Sequence, residues 1–285
     1  MGKVKEKIGS LCCHTYLIIL SVVALFPLVW VILSSVKGSG ELTSNPTSFL
    51  PKEFTFINYK NVIDNLGFTV NIGNSLIIAL ITTVIAITVS SMAAYGIVRF
   101  FPRFGNIMSR VLVTTYMFPP ILLAIPYSLV MAKLGLTNTR VGLIIVYLSF
   151  SVPYAVWMLV GFFKTVPIGI EEAARVDGAN AIQTFTKITL PYMLYVTTPY
   201  LIVTFTGNIN NFNVIYLLSG GDPVTDLSST AGKTDLLVTW LYKLTIDKQY
   251  YNIGAVIGIM TFIILAIGAL FTYRNSKSYK EEGGF

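Results

Sequence analysis

Tyr147, Ser151 and Tyr154 recur at intervals of four and three residues, and Thr197, Thr204, Asn208 and Asn211 at seven, four and three. Each set falls on one face of a helix, and each lies within a long apolar run. An asparagine amide in hydrocarbon must find partners. Such stripes could hold neighbouring helices together through interhelical hydrogen bonds. They could instead line a hydrated cavity in which hydroxyls and amides meet a neutral, hydroxyl-rich solute while aromatic faces cover the C–H groups of its rings. A cation site would want carboxylates, and an amino-acid site would want a charged group. Neither stripe holds one, which favours a sugar over those solutes.

Catalytic chemistry has little support. Ala231-Gly232-Lys233-Thr234 echoes the end of a phosphate-binding loop, but the position five residues before Gly232 is Leu227 where that loop needs glycine. No nucleophile–base pair or zinc-ligand spacing occurs. Cys12 and Cys13 are adjacent and alone, which excludes a disulfide framework, and His14 reads as an interfacial residue. No ionisable residue falls in the central part of any apolar run, which argues against a proton-coupled carrier built on an intramembrane acid. Energy must come from another protein.

One polar stretch could receive it. Pro167 suits the first turn of a short helix, and Glu171 and Glu172 suit its positive end. Gly178 can take the left-handed conformation that stops such a helix. A second helix is predicted from about Ala181 to Leu190, with Ile182, Phe185 and Ile188 on one face, ended by Pro191. Two short helices around a glycine, with room beside Ala173 and Ala174, suit a docking element; an ordinary polar loop would use the same residues.

The 285 residues are 54% hydrophobic and 12% charged, about half the charge of a soluble domain. Six runs are long enough to cross a membrane, at about 12–34, 75–98, 109–133, 141–163, 192–218 and 252–273. The third contains Pro119, Pro120 and Pro126 and should be kinked. Lys3, Lys5 and Lys7 precede the first run, which is too long for a signal-peptide core and reads as a retained span. The net charge of +7 sits in short loops beside apolar runs, without a basic, aromatic-interleaved face for nucleic acid. The N-terminus, the 99–110 and 164–191 loops and the C-terminus together hold twelve Lys or Arg against six acids; the opposite loops, counted with Lys133 at their border, hold eight against seven. The first set is therefore predicted to be cytoplasmic, with both termini inside. On the other side, residues 35–74 should form a structured loop. Ser219-Gly220-Gly221-Asp222-Pro223 marks a turn, and a helix lying along the membrane surface is predicted around Leu236–Leu241.

Glu172-Ala173-Ala174, three residues, Gly178, nine residues, then Ile188-x-Leu190-Pro191 resembles the cytoplasmic "EAA" coupling loop of permease subunits in binding-protein-dependent ABC importers. The resemblance extends over nearly the whole chain. Thr204 to Pro223 and Ala231 to Val238 look like the larger permease subunit of maltose-type importers; the length and the opening around Phe26-Pro27 look like the smaller one. Carried over residue by residue, the sugar contacts of that family match Phe150, Ser151, Tyr154, Thr204, Asn208 and Asn211, of which Ser151 and Thr204 differ chemically from the larger subunit. Phe150 rests on the resemblance alone. The family's ATPase contacts fall on Glu172, Ala173, Ala174, Asp177 and Gly178.

The expected architecture is an all-α integral membrane protein, a single transmembrane domain over residues 1–285 with six helices and the coupling loop at 164–191. The expected role is that of a non-catalytic permease subunit of an ATP-driven sugar importer in a bacterial-type inner membrane. The resemblance implies a second permease, identical or different, and two cytoplasmic ATPase subunits that bind ATP and Mg. It also implies an extracytoplasmic sugar-binding protein, with no cofactor in this chain. A scaffold whose partner alone holds the sugar, a stand-alone secondary carrier and a structural membrane scaffold are the alternatives. The smaller subunit's glycine-rich tail is not matched by Glu281-Glu282-Gly283-Gly284-Phe285.

Overall fold

The computed structural model describes residues 2–38, 40–212, 216, 218, 220–221, 232 and 234–275. Among them every extended element is helical: α1 Gly2–Ser35, α2 Glu41–Ser44, α3 Ile57–Asp64, α4 Phe68–Arg99, α5 Pro102–Tyr116, α6 Pro120–Lys133, α7 Arg140–Thr165, α8 Ile168–Val176, α9 Ala181–Thr184, α10 Leu190–Ile209, α11 Leu237–Tyr242 and α12 Tyr251–Asn275. Among the described residues, four stretches are long and apolar enough to cross a membrane: Gly9–Ser35, Phe68–Arg99, Arg140–Thr165 and Tyr251–Arg274. They correspond to the first, second, fourth and sixth predicted runs.

The other two runs differ from expectation. The run at 109–133 is broken rather than kinked, α5 ending at Tyr116 and α6 starting at Pro120. Pro119 stands at φ −59°, ψ 124°, as the ring of the following proline requires. The run at 192–218 gives a helix that begins at Leu190 and ends at Ile209; several of the residues beyond it lie outside the described ones. Pro191 does not end the helix before it. The backbone winds through a π-helical turn at Phe185–Thr189, whose wider spacing passes the Leu190 N–H to the Phe185 carbonyl, and Pro191 then occupies the first turn of α10, where its missing N–H costs nothing.

The chain divides into two compact units, residues 1–66 with 241–262 and residues 67–240 with 263–285. In the first, the segment after α1 is tied down by buried polar contacts. The Asn58 amide donates to the carbonyls of Ser35 (3.0 Å) and Lys37 (2.7 Å) and accepts from Asn252 (3.0 Å). Lys37 is fully buried; its ammonium donates to the Ser48 carbonyl and stands 4.9 Å over the Trp30 ring. Leu17, Ile18, Val22 and Val23 of α1 leave more than half their surface open, as a lipid-facing helix would.

In the second unit α4 and α7 pack along their length. Small side chains on α4, among them Ser75, Ala79, Ala86, Ser90 and Ala94, are buried and let the backbones approach. One apolar cluster joins Ile78, Leu143, Val146, Tyr147 and Leu236; another joins Ala94, Tyr95, Val156, Leu159, Phe163 and Met193. The helix predicted around Leu236–Leu241 forms at Leu237–Tyr242 and packs on α4: Leu237, Thr239 and Trp240 are buried, and the Leu237 N–H donates to Ser75 Oγ at 2.9 Å. Asp235 fixes its entry, accepting from the Gly232 N–H (2.8 Å) and Thr239 Oγ1 (2.9 Å). A Cβ on Gly232 would collide with the Gly221 carbonyl oxygen. Gly232→Ala is therefore expected to open this corner and speed hydrogen exchange of the Leu237 amide several-fold; an unchanged exchange rate would show the corner can give way.

Candidate functional site

Two regions bear on function, and α7 reaches both. The first is a cleft of about 1010 Å³ in the second unit, walled by α5, α6, α7 and α10. All six residues assigned to a sugar line it: Phe150, Ser151 and Tyr154 from α7, Thr204 and Asn208 from α10, and Asn211 just beyond. Tyr147 and Thr197, on the same predicted faces, do not. Tyr147 is fully buried and its hydroxyl donates to the Asn211 carbonyl at 3.1 Å; Thr197 is fully buried and bonds back to the Met193 carbonyl at 2.8 Å. Tyr147 thus ties α7 to the residue after α10, while Thr197 satisfies its hydroxyl on its own helix.

The break between α5 and α6 supplies what the sequence reading did not name. Tyr116, at the end of α5, stacks on Tyr154 with ring centres 4.7 Å apart and planes 28° apart. Tyr127 of α6 meets Phe150 edge-on at 5.3 Å. The cleft lining thus combines five aromatic rings, Phe118 among them, with hydroxyls and amides, and no described lining residue carries a formal charge. Asn208 is only 6% exposed, and its amide donates to Thr83 Oγ1 of α4 at 3.3 Å, so it stands in the wall with a neighbour already engaged. Such a surface suits an uncharged polyol with ring faces.

The second region is the polar segment after α7. α8 begins at Ile168 behind Pro167, and Gly178 stands at φ +89°, where any side chain would be strained. Asn180 then opens α9 through a reciprocal capping box with Gln183, both bonds 2.9 Å. Of the residues assigned to ATPase contact, Glu172, Ala173, Asp177 and Gly178 are exposed, whereas Ala174 is buried and faces the body. Val176 and Ile182, 87% and 74% exposed, extend the open face.

What fastens this segment is Glu171, expected only to favour the helix dipole. It is 1% exposed and paired with Arg99 at the end of α4: Nε lies 3.1 and 3.0 Å from its two oxygens and Nη2 2.9 Å from one. Thr189 Oγ1 adds a bond at 3.1 Å and the Tyr95 hydroxyl one at 3.4 Å, while Arg99 Nη2 also donates to the Val166 carbonyl at 3.1 Å. The Arg99–Glu171 pair thus joins α4, the α7–α8 turn, α8 and the π turn that leads into α10.

Residues 86–279, which include both regions, match the family described as binding-protein-dependent transport system inner membrane component. The chain belongs to that family. As an inner membrane component it is a multi-pass membrane protein. It is 35% identical over 211 residues to a trehalose transport system permease protein of Mycobacterium tuberculosis, 74% of this chain and 72% of that one. It is 39% identical over 144 residues to a galactooligosaccharides transport system permease protein of Bacillus subtilis, 50% of this chain and 34% of that one. The chain therefore spans about a third of the length of that Bacillus relative. In fold it resembles a chain from the crystal structure of a bacterial ABC transporter involved in alginate import, with a TM-score of 0.75 at 19% identity, covering 95% of this chain and 97% of the other.

Proposed function

We propose that this chain is a permease subunit of an ATP-driven importer, and that the cleft holds a sugar during transfer. The observation that carries this reading is the meeting of Phe150, Ser151, Tyr154, Thr204, Asn208 and Asn211 on one uncharged, aromatic-lined cleft. The relatives named for trehalose and galactooligosaccharide transport support a sugar. At about 1010 Å³ the cleft stands at the upper end of small-molecule sites, which supports an oligosaccharide. Both termini and residues 164–191 are assigned to the cytoplasm, following the basic loops. A second permease completes the pathway, and an extracytoplasmic binding protein delivers the sugar. Two ATPases that bind ATP and Mg dock on the exposed face of Glu172, Ala173, Asp177 and Gly178. ATP binding draws the docked segments together and turns the cleft from one side of the membrane to the other, a rigid-body switch between two states.

The decisive experiment is uptake of labelled oligosaccharide by proteoliposomes holding the complex. Uptake that needs ATP on the side of the coupling segment supports the reading; uptake by this chain alone without ATPases would replace it with a secondary carrier. Gly178→Trp is expected to leave membrane insertion intact while cutting uptake at least tenfold, since the side chain is both strained at φ +89° and set on the docking face. Normal uptake would count against docking there. A second reading, in which the partner permease alone holds the sugar, draws on the engaged amide of Asn208.

A further inference from the structure

α4 is 32 residues long, about 48 Å at 1.5 Å per residue, and it is fastened at both ends and between. At its C-terminal end Arg99 and Tyr95 hold Glu171 of α8. Midway, Thr83 accepts from Asn208 in the wall of the cleft at 3.3 Å. Near its start Ser75 accepts from the Leu237 N–H at 2.9 Å and the Asn74 amide donates to the Asp235 carbonyl at 3.4 Å. α4 thus meets the coupling segment, the cleft wall and residues 235–237 through side-chain hydrogen bonds.

We propose that α4 is the rod that carries movement of α8 to the cleft and on to residues 235–237, and that Arg99 and Glu171 are the positioning residues that couple the rod to α8. This rests on the reading of residues 164–191 as the ATPase-docking segment. The covalent route, through α7, is the natural competitor. α7 contains Pro153 at the level of the cleft, and an internal proline removes a backbone hydrogen bond and lets the helix bend there. α4 contains no proline, so its backbone ladder is continuous from the ion pair to Asn74. α8 has only nine residues and too few turns to hold its shape unaided; a push on its exposed face must pass into whatever grips it. That grip is a buried, two-oxygen guanidinium–carboxylate contact, the kind of pair that fixes direction as well as distance. Asn71, Thr82 and Ser91 on α4 are buried with side-chain polar atoms that no group among the described residues meets. At those positions the helix gives up no side-chain bond when it shifts.

The test uses the intact transporter complex in lipid discs, with Cys12 and Cys13 changed to serine and one spin label at a time. Val176→Cys reports α8 and Val70→Cys reports the far end of α4; both positions are exposed, at 87% and 54%. In the parent complex ATP with hydrolysis blocked by vanadate is expected to change both spectra. In Glu171→Gln the Val176 response persists and the Val70 response falls at least fivefold, while sugar moved per ATP hydrolysed falls at least tenfold. If Glu171→Gln does not assemble, Arg99→Lys combined with Glu171→Asp, which keeps opposite charges but loses the two-oxygen geometry, is held to the same result. A full Val70 response in the assembled variant overturns the rod. A parent complex whose Val176 label ignores ATP overturns the docking reading itself, and the rod with it.

Discussion

Tyr154→Ala is expected to reduce sugar uptake by at least tenfold while the complex still assembles, and Asn208→Ala to do the same. Tyr154 offers a ring face to the cleft and supports Tyr116 at 4.7 Å. Removing it deletes the platform and an aromatic pair of about 0.5–1.5 kcal/mol, and the loss of sugar contact adds to that. Asn208→Ala leaves the hydroxyl opposite it without its partner, which costs about 1–3 kcal/mol, where about 1.4 kcal/mol is a tenfold change. Asn208 needs a control because its amide meets Thr83. Thr83→Val removes that bond without touching the cleft lining. If Asn208 only holds helices together, Thr83→Val damages assembly and uptake as much as Asn208→Ala does. If Asn208 serves the sugar, Thr83→Val leaves assembly and sugar binding intact, and any loss of uptake then falls on the contact that Thr83 makes from α4. Normal transport by both Tyr154→Ala and Asn208→Ala would move the sugar to another surface.

Helical spacing is a statement about angle, and it explains both what the sequence revealed of the cleft and what it could not. Ser151, Tyr154, Thr204, Asn208 and Asn211 share faces by counting, and they meet at one cleft. Tyr147 shares the face but stands a turn away from Ser151, at the level of Ile78, Leu143 and Leu236, where apolar neighbours close over it. Thr197 lies two turns before Thr204 and satisfies its hydroxyl on its own helix. Counting gives neither the identity of the neighbour opposite nor where along the helix the cleft begins. Tyr116 and Tyr127 were not legible because their place depends on the break at Pro119, which turns one expected span into two helices. The prolines were legible; the aromatic they would deliver to Tyr154 was not. Pro191 shows the opposite error, a local rule applied too strongly where a π turn lets the chain pass. Glu171 was read from its own helix, and its partner lies 72 residues away.

That distant pair gives the largest expected effect on stability. Glu171→Ala should destabilise the assembled subunit by about 3–5 kcal/mol, because it leaves a guanidinium buried without its counter-charge. The side chains of Arg99 and Glu171 are only 9% and 2% exposed, so water cannot replace the lost partner without opening the α4–α8 contact. Thr189 and Tyr95 lose an acceptor at the same time. In a scan of the purified complex the unfolding midpoint should fall by roughly 6–20 °C, taking about 2–4 °C per kcal/mol for a chain of this order of size. Replacing both partners by apolar residues of similar volume, Arg99→Met with Glu171→Leu, should recover most of that loss, since the cost of taking two charges out of water disappears with the charges. The comparison separates holding the fold from steering it. If the apolar pair restores the midpoint but sugar moved per ATP stays low, the geometry of the ion pair is needed for coupling beyond its part in folding. A single Glu171→Ala variant that melts with the parent would mean that Arg99 reaches solvent there, and that the buried junction described here does not form in the membrane.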